Sequence, residues 1–327
     1  MVEAKAPAVI KLLGEHAVVY GKLSLAAAIS LYARAKVEST SSGFELSLPD
    51  IGKSAKFGAD TLARLYDSFA SRKSINEYVE ENKGLAEALP FATVLAVASE
   101  KYGIKNKKAV LSSQIPMQKG FASSAALSTA LATALLAQTS HSDSEIVELA
   151  RTGEIVMHRS EGAGKIDVNT SYYGGYVSYS QQEGARKLSI ETRIDLLAID
   201  TGPKKSTAET VAHVAQLYKS EREQTEKILG EIEACTKRGI EALMKKDIKA
   251  LGKEMYADHG YLSLLGVSSE GLDKAVEIAK KTGSLGAKLS GGGGGGMAIA
   301  INTQGLEKAL EAQGFKCQEL AISLKGA

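Results

Sequence analysis

Two hydrophobic periods alternate along the chain. Residues 8–13 form an apolar, β-compatible run that ends at Gly14-Glu15-His16, with a turn at Tyr20-Gly21. Residues 23–29 read as a buried strand, and 32–40 alternates with period 2 as a half-exposed strand to which 44–48 pairs. The period then becomes helical over 59–72, 75–82 and 84–102, the last broken or bent near Pro90. A strand at 107–114 leads into a loop of small residues, an Ala-rich apolar helix over 123–138 and a second helix over 143–159. A glycine-containing loop, 160–167, precedes a strand at 174–180. Beyond residue 181 the composition changes. Strands across 186–200 give way to long helices over 206–221, 223–245 and 246–263, then a helix at 269–282 and a strand at 285–290. Six glycines, a strand at 297–302, a helix and a last strand near 316–323 complete the pattern. With no repeat and no linker, it predicts two α+β halves, 1–181 and 182–327, packed together.

Composition narrows the partners. A chain of 327 residues buries a core large enough for two domains. Its 44% hydrophobic and 24% charged residues are those of an ordinary globular protein. A net charge of +2, with no basic run interleaved with aromatics, argues against nucleic acid. Cys235 and Cys317 have no metal-ligand spacing and make no disulfide framework, which suits a reducing cytosol. The start, MVEAKAPAVIKLL, carries an acidic residue and lacks the apolar core of a secretory signal. The most apolar helix, 125–137, is too short to span a bilayer. The expectation is a cytoplasmic protein without a membrane partner.

Three stretches carry candidate chemistry. Lys119-Gly120-Phe121-Ala122-Ser123-Ser124-Ala125 leads into the start of a buried helix, where unpaired N–H groups and the positive end of the dipole attract anions. The plain alternative is that a serine there is only an N-cap. Gly291 to Gly296 matches GxGxxG trivially, yet a strand follows where a dinucleotide motif needs a helix. No GxxxxGK[ST] is present either. The apolar strands flanking the run argue against a flexible linker and for close approach of backbone to a ligand or a facing loop. Asp167 by itself reads as a cap or turn residue, Glu154 as a solvated helix residue, and His16 as a satisfied structural histidine. Ser206-Thr207-Ala208-Glu209 has the form of a capping box, which leaves a substrate-facing role for Thr207 open. No zinc spacing and no Ser-His-Asp arrangement occurs.

Together these stretches resemble the GHMP kinase superfamily and, within it, the mevalonate kinases, above all archaeal ones. Gly14-Glu15-His16-Ala17-Val18-Val19-Tyr20-Gly21 is similar to the first family motif, where galactokinases continue with Thr-Asp-Tyr. Residues 116–126 resemble the phosphate loop P-x-G-x-G-L-G-S-S-A-A, and 286–297 the third motif, G-A-K-L-T-G-A-G-G-G-G-C. Residues 261–268, YLSLLGVS, are similar to the helix and turn before it.

The resemblance implies a ribosomal-protein-S5-like N-terminal α/β domain and a ferredoxin-like C-terminal α+β domain with additional helices. It implies transfer of phosphate from ATP, with Mg²⁺, to the 5-hydroxyl of mevalonate. Asp167 then matches the aspartate facing the substrate hydroxyl, and Ser124 and Glu154 match the Mg²⁺ ligands. Loop residues 119–125 would hold ATP, and Glu15, His16, Thr207, Gly291 and Gly292 would lie toward mevalonate.

Three departures stand out. Gln118 and Ala122 replace loop glycines, which constrains the loop, and Gly292 replaces an alanine facing the substrate. The lysine expected five residues before Gly14 is Val9, while Lys11 lies two residues later on the same strand face, the offset used by mevalonate diphosphate decarboxylases. Lys11 is therefore expected in the catalytic role, with Lys165 the other candidate. Rival readings are a mevalonate 3-kinase, a phosphomevalonate kinase, a sugar kinase, or an inactive metabolite sensor on the same scaffold. The sequence leaves homodimerisation open.

Overall fold

The computed structural model describes residues 1–116, 119–202 and 207–327. The first half contains β1 (Val2–Leu13), β2 (Ser24–Ser39), β3 (Phe44–Leu48), β4 (Lys53–Phe57), α1 (Ala59–Ser71), α2 (Ile75–Glu81), α3 (Leu89–Tyr102) and β5 (Lys107–Ser113). It continues with α4 (Ser123–Leu136), α5 (Asp143–His158), α6 (Asp167–Tyr173), β6 (Tyr176–Ser180) and β7 (Gly184–Leu188). The strands make one sheet in the order β4-β3-β5-β2-β6-β7, with β1 paired along the other edge of β2. The Ala-rich α4 packs on β1 and β2 and is flanked by α3, α5 and α6. Surrounded in this way, it is apolar on nearly every side.

The second half contains β8 (Asp195–Asp200), α7 (Thr207–Ser220), α8 (Arg222–Met244), α9 (Ile248–Leu264), α10 (Glu270–Lys281), β9 (Ala287–Leu289), β10 (Met297–Ile301), α11 (Leu306–Glu311) and β11 (Lys316–Ala321). Its antiparallel sheet runs β11-β8-β10-β9, with α9 and α10 packed against it. Two backbone features, among other contacts, link the halves. The first sheet extends past residue 181 through β7, which pairs with β6. The chain's last residues also return to the first half: the Ser323 N–H donates to Ala28 O of β2 at 2.8 Å and the Ala327 N–H to Tyr172 O of α6 at 3.0 Å.

Several elements differ from expectation. Residues 23–29 and 32–40 belong to one strand, β2, because Ser30-Leu31 bulge out where the register jumps opposite Pro7, which has no N–H for the ladder. The helix expected over 84–102 is a 3₁₀ segment, Lys83–Ala88, followed by α3, and Ala86 breaks it at φ 44°. The expected break thus falls just before Pro90, which lies in the first turn of α3, where it is tolerated. The short edge strand β4 and the helix α6 were not expected from the pattern. Strand structure across 186–200 divides into β7 and β8. The capping residue Ser206 and the loop residue Gln118 lie outside the described residues. Among the described residues, no helix is long and apolar enough to cross a membrane.

Candidate active site

Lys11 and Asp167 meet in the cleft. Lys11 projects from β1 and its ammonium donates to Asp167 Oδ1 at the start of α6; the side chains retain 21% and 23% exposure, so solvent reaches the pair. Val9 projects from the same face and packs with Ala26 and Ile166. The apolar position thus supports the residue before Asp167, and the charged one contacts Asp167 itself. Lys165 lies on the approach to α6, its carbonyl accepting from Asn169 Nδ2 at 2.7 Å.

Glu154 lies on α5 and is buried. Its Oε2 is 3.4 Å from His158 Nε2, one helical turn on, while its Oε1 has no partner. The bond to Glu154 raises the His158 pKa, against the lowering effect of burial, and Asp167 adds to the rise. Gly164 is required here: at φ +76° an added Cβ would lie 2.8 Å from Glu154 Cβ, so only glycine lets the loop before Asp167 close over the carboxylate. Glu154 is therefore an inward carboxylate, unlike the solvated residue its helix position suggests. His158 was not singled out in the sequence, although its i+4 spacing from Glu154 was a usable signal.

The loop of small residues meets α4 as expected, but its serines do not cap the helix. Ala122 occupies the N-cap position at φ 52°, ψ 44° with no side-chain cap bond, and Ser123 and Ser124 are the first helical residues. Their backbone N–H groups are among those a helix leaves unpaired. The packing of α4 on α5 brings the Ser124 and Glu154 helices together. The loop is tied to both halves of the chain. The Val9 N–H donates to Phe121 O at 3.1 Å. Lys119 Nζ donates to Asp200 Oδ2 at 2.5 Å, and Gly120 faces Ser290 O. Burial acts to raise the Asp200 pKa, but Lys119 and the Gly202 N–H outweigh it and hold it low.

The other end of the cleft joins the first motif to the glycine run. His16 Nε2 donates to Gly292 O at 2.9 Å, and burial lowers the His16 pKa, which favours the neutral ring. A Cβ on Gly292 would lie 2.9 Å from Thr207, at the start of α7, so His16, Gly292 and Thr207 form one contact group. Gly291 lies beside them at φ +89°. Glu15, in contrast, turns into the protein and bonds Lys288 of β9 at 2.5 Å, with Asp258 of α9 at 3.2 Å from the same ammonium. Burial pushes the Asp258 carboxyl up to about 7, against the attraction of Lys288. Lys288 and Asp258 were missed by sequence reasoning, although a lysine centred in the strand Ala287-Lys288-Leu289 was a signal that some carboxylate must meet it.

A family model described as the GHMP kinases N terminal domain matches residues 88–175, and one described as GHMP kinases C terminal matches 240–314. A mevalonate kinase of Pyrococcus abyssi is 32% identical over 312 residues, 92% of this chain and 88% of the relative. The chain belongs to the GHMP kinases. A mevalonate kinase of Aeropyrum pernix is 30% identical, covering 94% of this chain and 91% of its own length. The solved Methanococcus jannaschii mevalonate kinase superposes with a TM-score of 0.80 at 25% identity, covering 98% of each chain. As a GHMP kinase the chain uses ATP and a small-molecule acceptor. Both matched regions contribute to the cleft: the first spans the phosphate loop, Glu154 and Asp167, the second Asp258, Lys288 and the glycines.

Proposed function

We propose that this GHMP kinase transfers the γ-phosphoryl group of ATP to the 5-hydroxyl of mevalonate, giving 5-phosphomevalonate and ADP. The observation that carries the reading is Lys11 against Asp167 in the cleft of a chain similar to mevalonate kinases over nine-tenths of its length. Asp167 orients the hydroxyl and takes its proton as the oxygen bonds to the γ-phosphorus and the bond to the β-phosphate oxygen breaks. Lys11 stabilises charge on the attacking oxygen and on the migrating group. The loop 119–125 and the first N–H groups of α4 cradle the phosphates. Positioning and charge neutralisation, without a covalent intermediate, are what this chemistry requires.

Mg²⁺ fits the residues present. Glu154 offers a buried carboxylate oxygen without a partner, and Ser124 a hydroxyl on the adjoining helix. Among the described residues no cluster of three His, Cys, Asp or Glu side chains could hold a metal alone. That suits an ion bound through one or two carboxylates plus substrate phosphates. Glu154 and Ser124 would hold it, and when bound it neutralises phosphate charge.

Displacement of the lysine from position 9 to 11 favours one second reading, transfer to the 3-hydroxyl of the same acceptor. Incubation with ATP and ¹³C-labelled mevalonate, with phosphomevalonate, homoserine and galactose as parallel acceptors, tests both. Phosphorus coupling to C5 of mevalonate is expected. Coupling at C3, or turnover confined to another acceptor, overturns the reading.

A further inference from the structure

Lys288 is fully buried and points from the three-residue strand β9 toward the first half of the chain, while its neighbours Ala287 and Leu289 pack into the core of the second half. Its ammonium donates to Glu15 Oε1 at 2.5 Å and to Leu289 O at 2.6 Å, with Asp258 Oδ2 at 3.2 Å. Burying a lysine with two carboxylates carries a desolvation cost that their attraction barely repays, and apolar replacements of such clusters are often as stable. Stability therefore does not explain the cluster.

Geometry gives a better account. Glu15 precedes His16, which stands at φ 59°, ψ −45°, a strained conformation for a non-glycine residue that persists only where the surroundings over-determine it. The turn is held on three sides. Gly14 is pressed against Leu23 and Ser24, Glu15 is bonded by Lys288, and His16 bonds Gly292 O. Gly292 in turn meets Thr207. The phosphate loop has separate supports, Lys119 to Asp200 and Val9 to Phe121.

We propose that Lys288 is a positioning residue for the acceptor end of the cleft: by holding Glu15 it fixes the turn that aims His16 at Gly292 and Thr207. The proposal rests on the kinase reading above and assigns Lys288 no contact with substrate. It makes the acceptor end, and not the ATP end, sensitive to Lys288.

The test is steady-state kinetics of Lys288→Met, Glu15→Gln and the paired variant, with acceptor and ATP varied separately and melting followed in parallel. Lys288→Met alone leaves two buried carboxylates, so if it yields no folded protein the paired variant, which removes one charge of each sign, reads the same quantity. Each is expected to raise the acceptor KM about tenfold while the ATP KM stays within about twofold. The paired variant should match Glu15→Gln, because a link already cut at one end loses nothing more when cut at the other. An acceptor KM within about twofold of wild type in folded Lys288→Met or in the paired variant overturns the proposal, as does an equal rise in both KM values. Wild-type turnover of mevalonate, measured first, tests the functional reading independently. If another acceptor is turned over instead, the KM ratios are read on that one.

Discussion

The cleft contains two lysine–carboxylate contacts of similar chemistry and opposite setting. Lys11 and Asp167 join β1 to α6 with about a fifth of each side chain exposed. Lys288, Glu15 and Asp258 join β9, the first-motif turn and α9 with 3% exposure at most. Water reaching the first pair allows its members to exchange partners for a hydroxyl and a phosphoryl group, as a reacting site must. The second cluster has no such freedom, because charges released in a dry interior have nothing to accept them. Exposure, more than residue type, separates the groups suited to chemistry from those suited to holding a shape.

Removing a reacting group should break that contrast most visibly. Asp167→Asn is expected to lower kcat by about 10²-fold or more, the usual loss for a positioned acid–base group, with melting temperature and ATP affinity preserved. An unchanged kcat with the phosphorylated acceptor would remove Asp167 from the chemistry. Lys11→Met should cost at least about tenfold in kcat, equivalent to about 1.4 kcal/mol of transition-state stabilisation, again with little change in stability because the pair is wet. Wild-type turnover by Lys11→Met would pass the role to Lys165.

The wet pair was more legible in the sequence than the dry cluster, for a physical reason. Lys11 interrupts an apolar run, and strand period alone puts it on the face of Val9, as it is found. The loop and glycine run announce themselves because positive φ and close approach exclude other residues. Gly293 shows that this signal carries no function of its own, since an added Cβ would lie 2.0 Å from Val267 O of the protein itself. What stayed hidden depends on contacts distant in sequence. Glu15 and Lys288 are 273 residues apart and on different halves, and no local pattern pairs them. Asp167 read as a loop end because Asp167-Val168-Asn169-Thr170 is a poor helix former. Tertiary packing and Thr170 Oγ1 bonded back to Ile166 O at 2.7 Å accompany helix there nonetheless.

The dry cluster should also be visible in pH dependence. Burial raises the Asp258 pKa above its unfolded value, so the folded chain keeps a proton that the unfolded chain has released. Stability from this group is therefore fully present below the ordinary carboxylate range and is lost as pH rises toward about 7. The slope is at most about 1.4 kcal/mol per pH unit. Urea melts of wild type and Asp258→Asn at pH 5 and pH 6 measure it: the variant should gain on wild type as pH rises. Parallel profiles would mean that Asp258 is ionised throughout.

The smallest effect is expected at Ala122, on the wet side, where three small contributions partly cancel. Its left-handed conformation costs an L-residue about 1–2 kcal/mol, which glycine would relieve. Glycine adds about 0.4–1 kcal/mol of unfolded-state entropy to overcome. The lost methyl, half-buried beside Val9 and Ile166, is worth a few tenths of the ~0.8 kcal/mol of a fully buried carbon. The sum leaves Ala122→Gly between about unchanged and about 1 kcal/mol more stable than wild type, a melting shift of no more than about 4 °C. The kinetic consequence is separate. Ala122 restricts the loop to the conformation that presents Ser123 and Ser124 at the start of α4, and glycine releases that restriction. The ATP KM should therefore rise about two- to threefold through lost preorganisation, with the acceptor KM unchanged. That is the mirror image of the Lys288 variants. A rise in acceptor KM with ATP unaffected would show that loop and turn move together, and that the two ends of the cleft do not have separate supports.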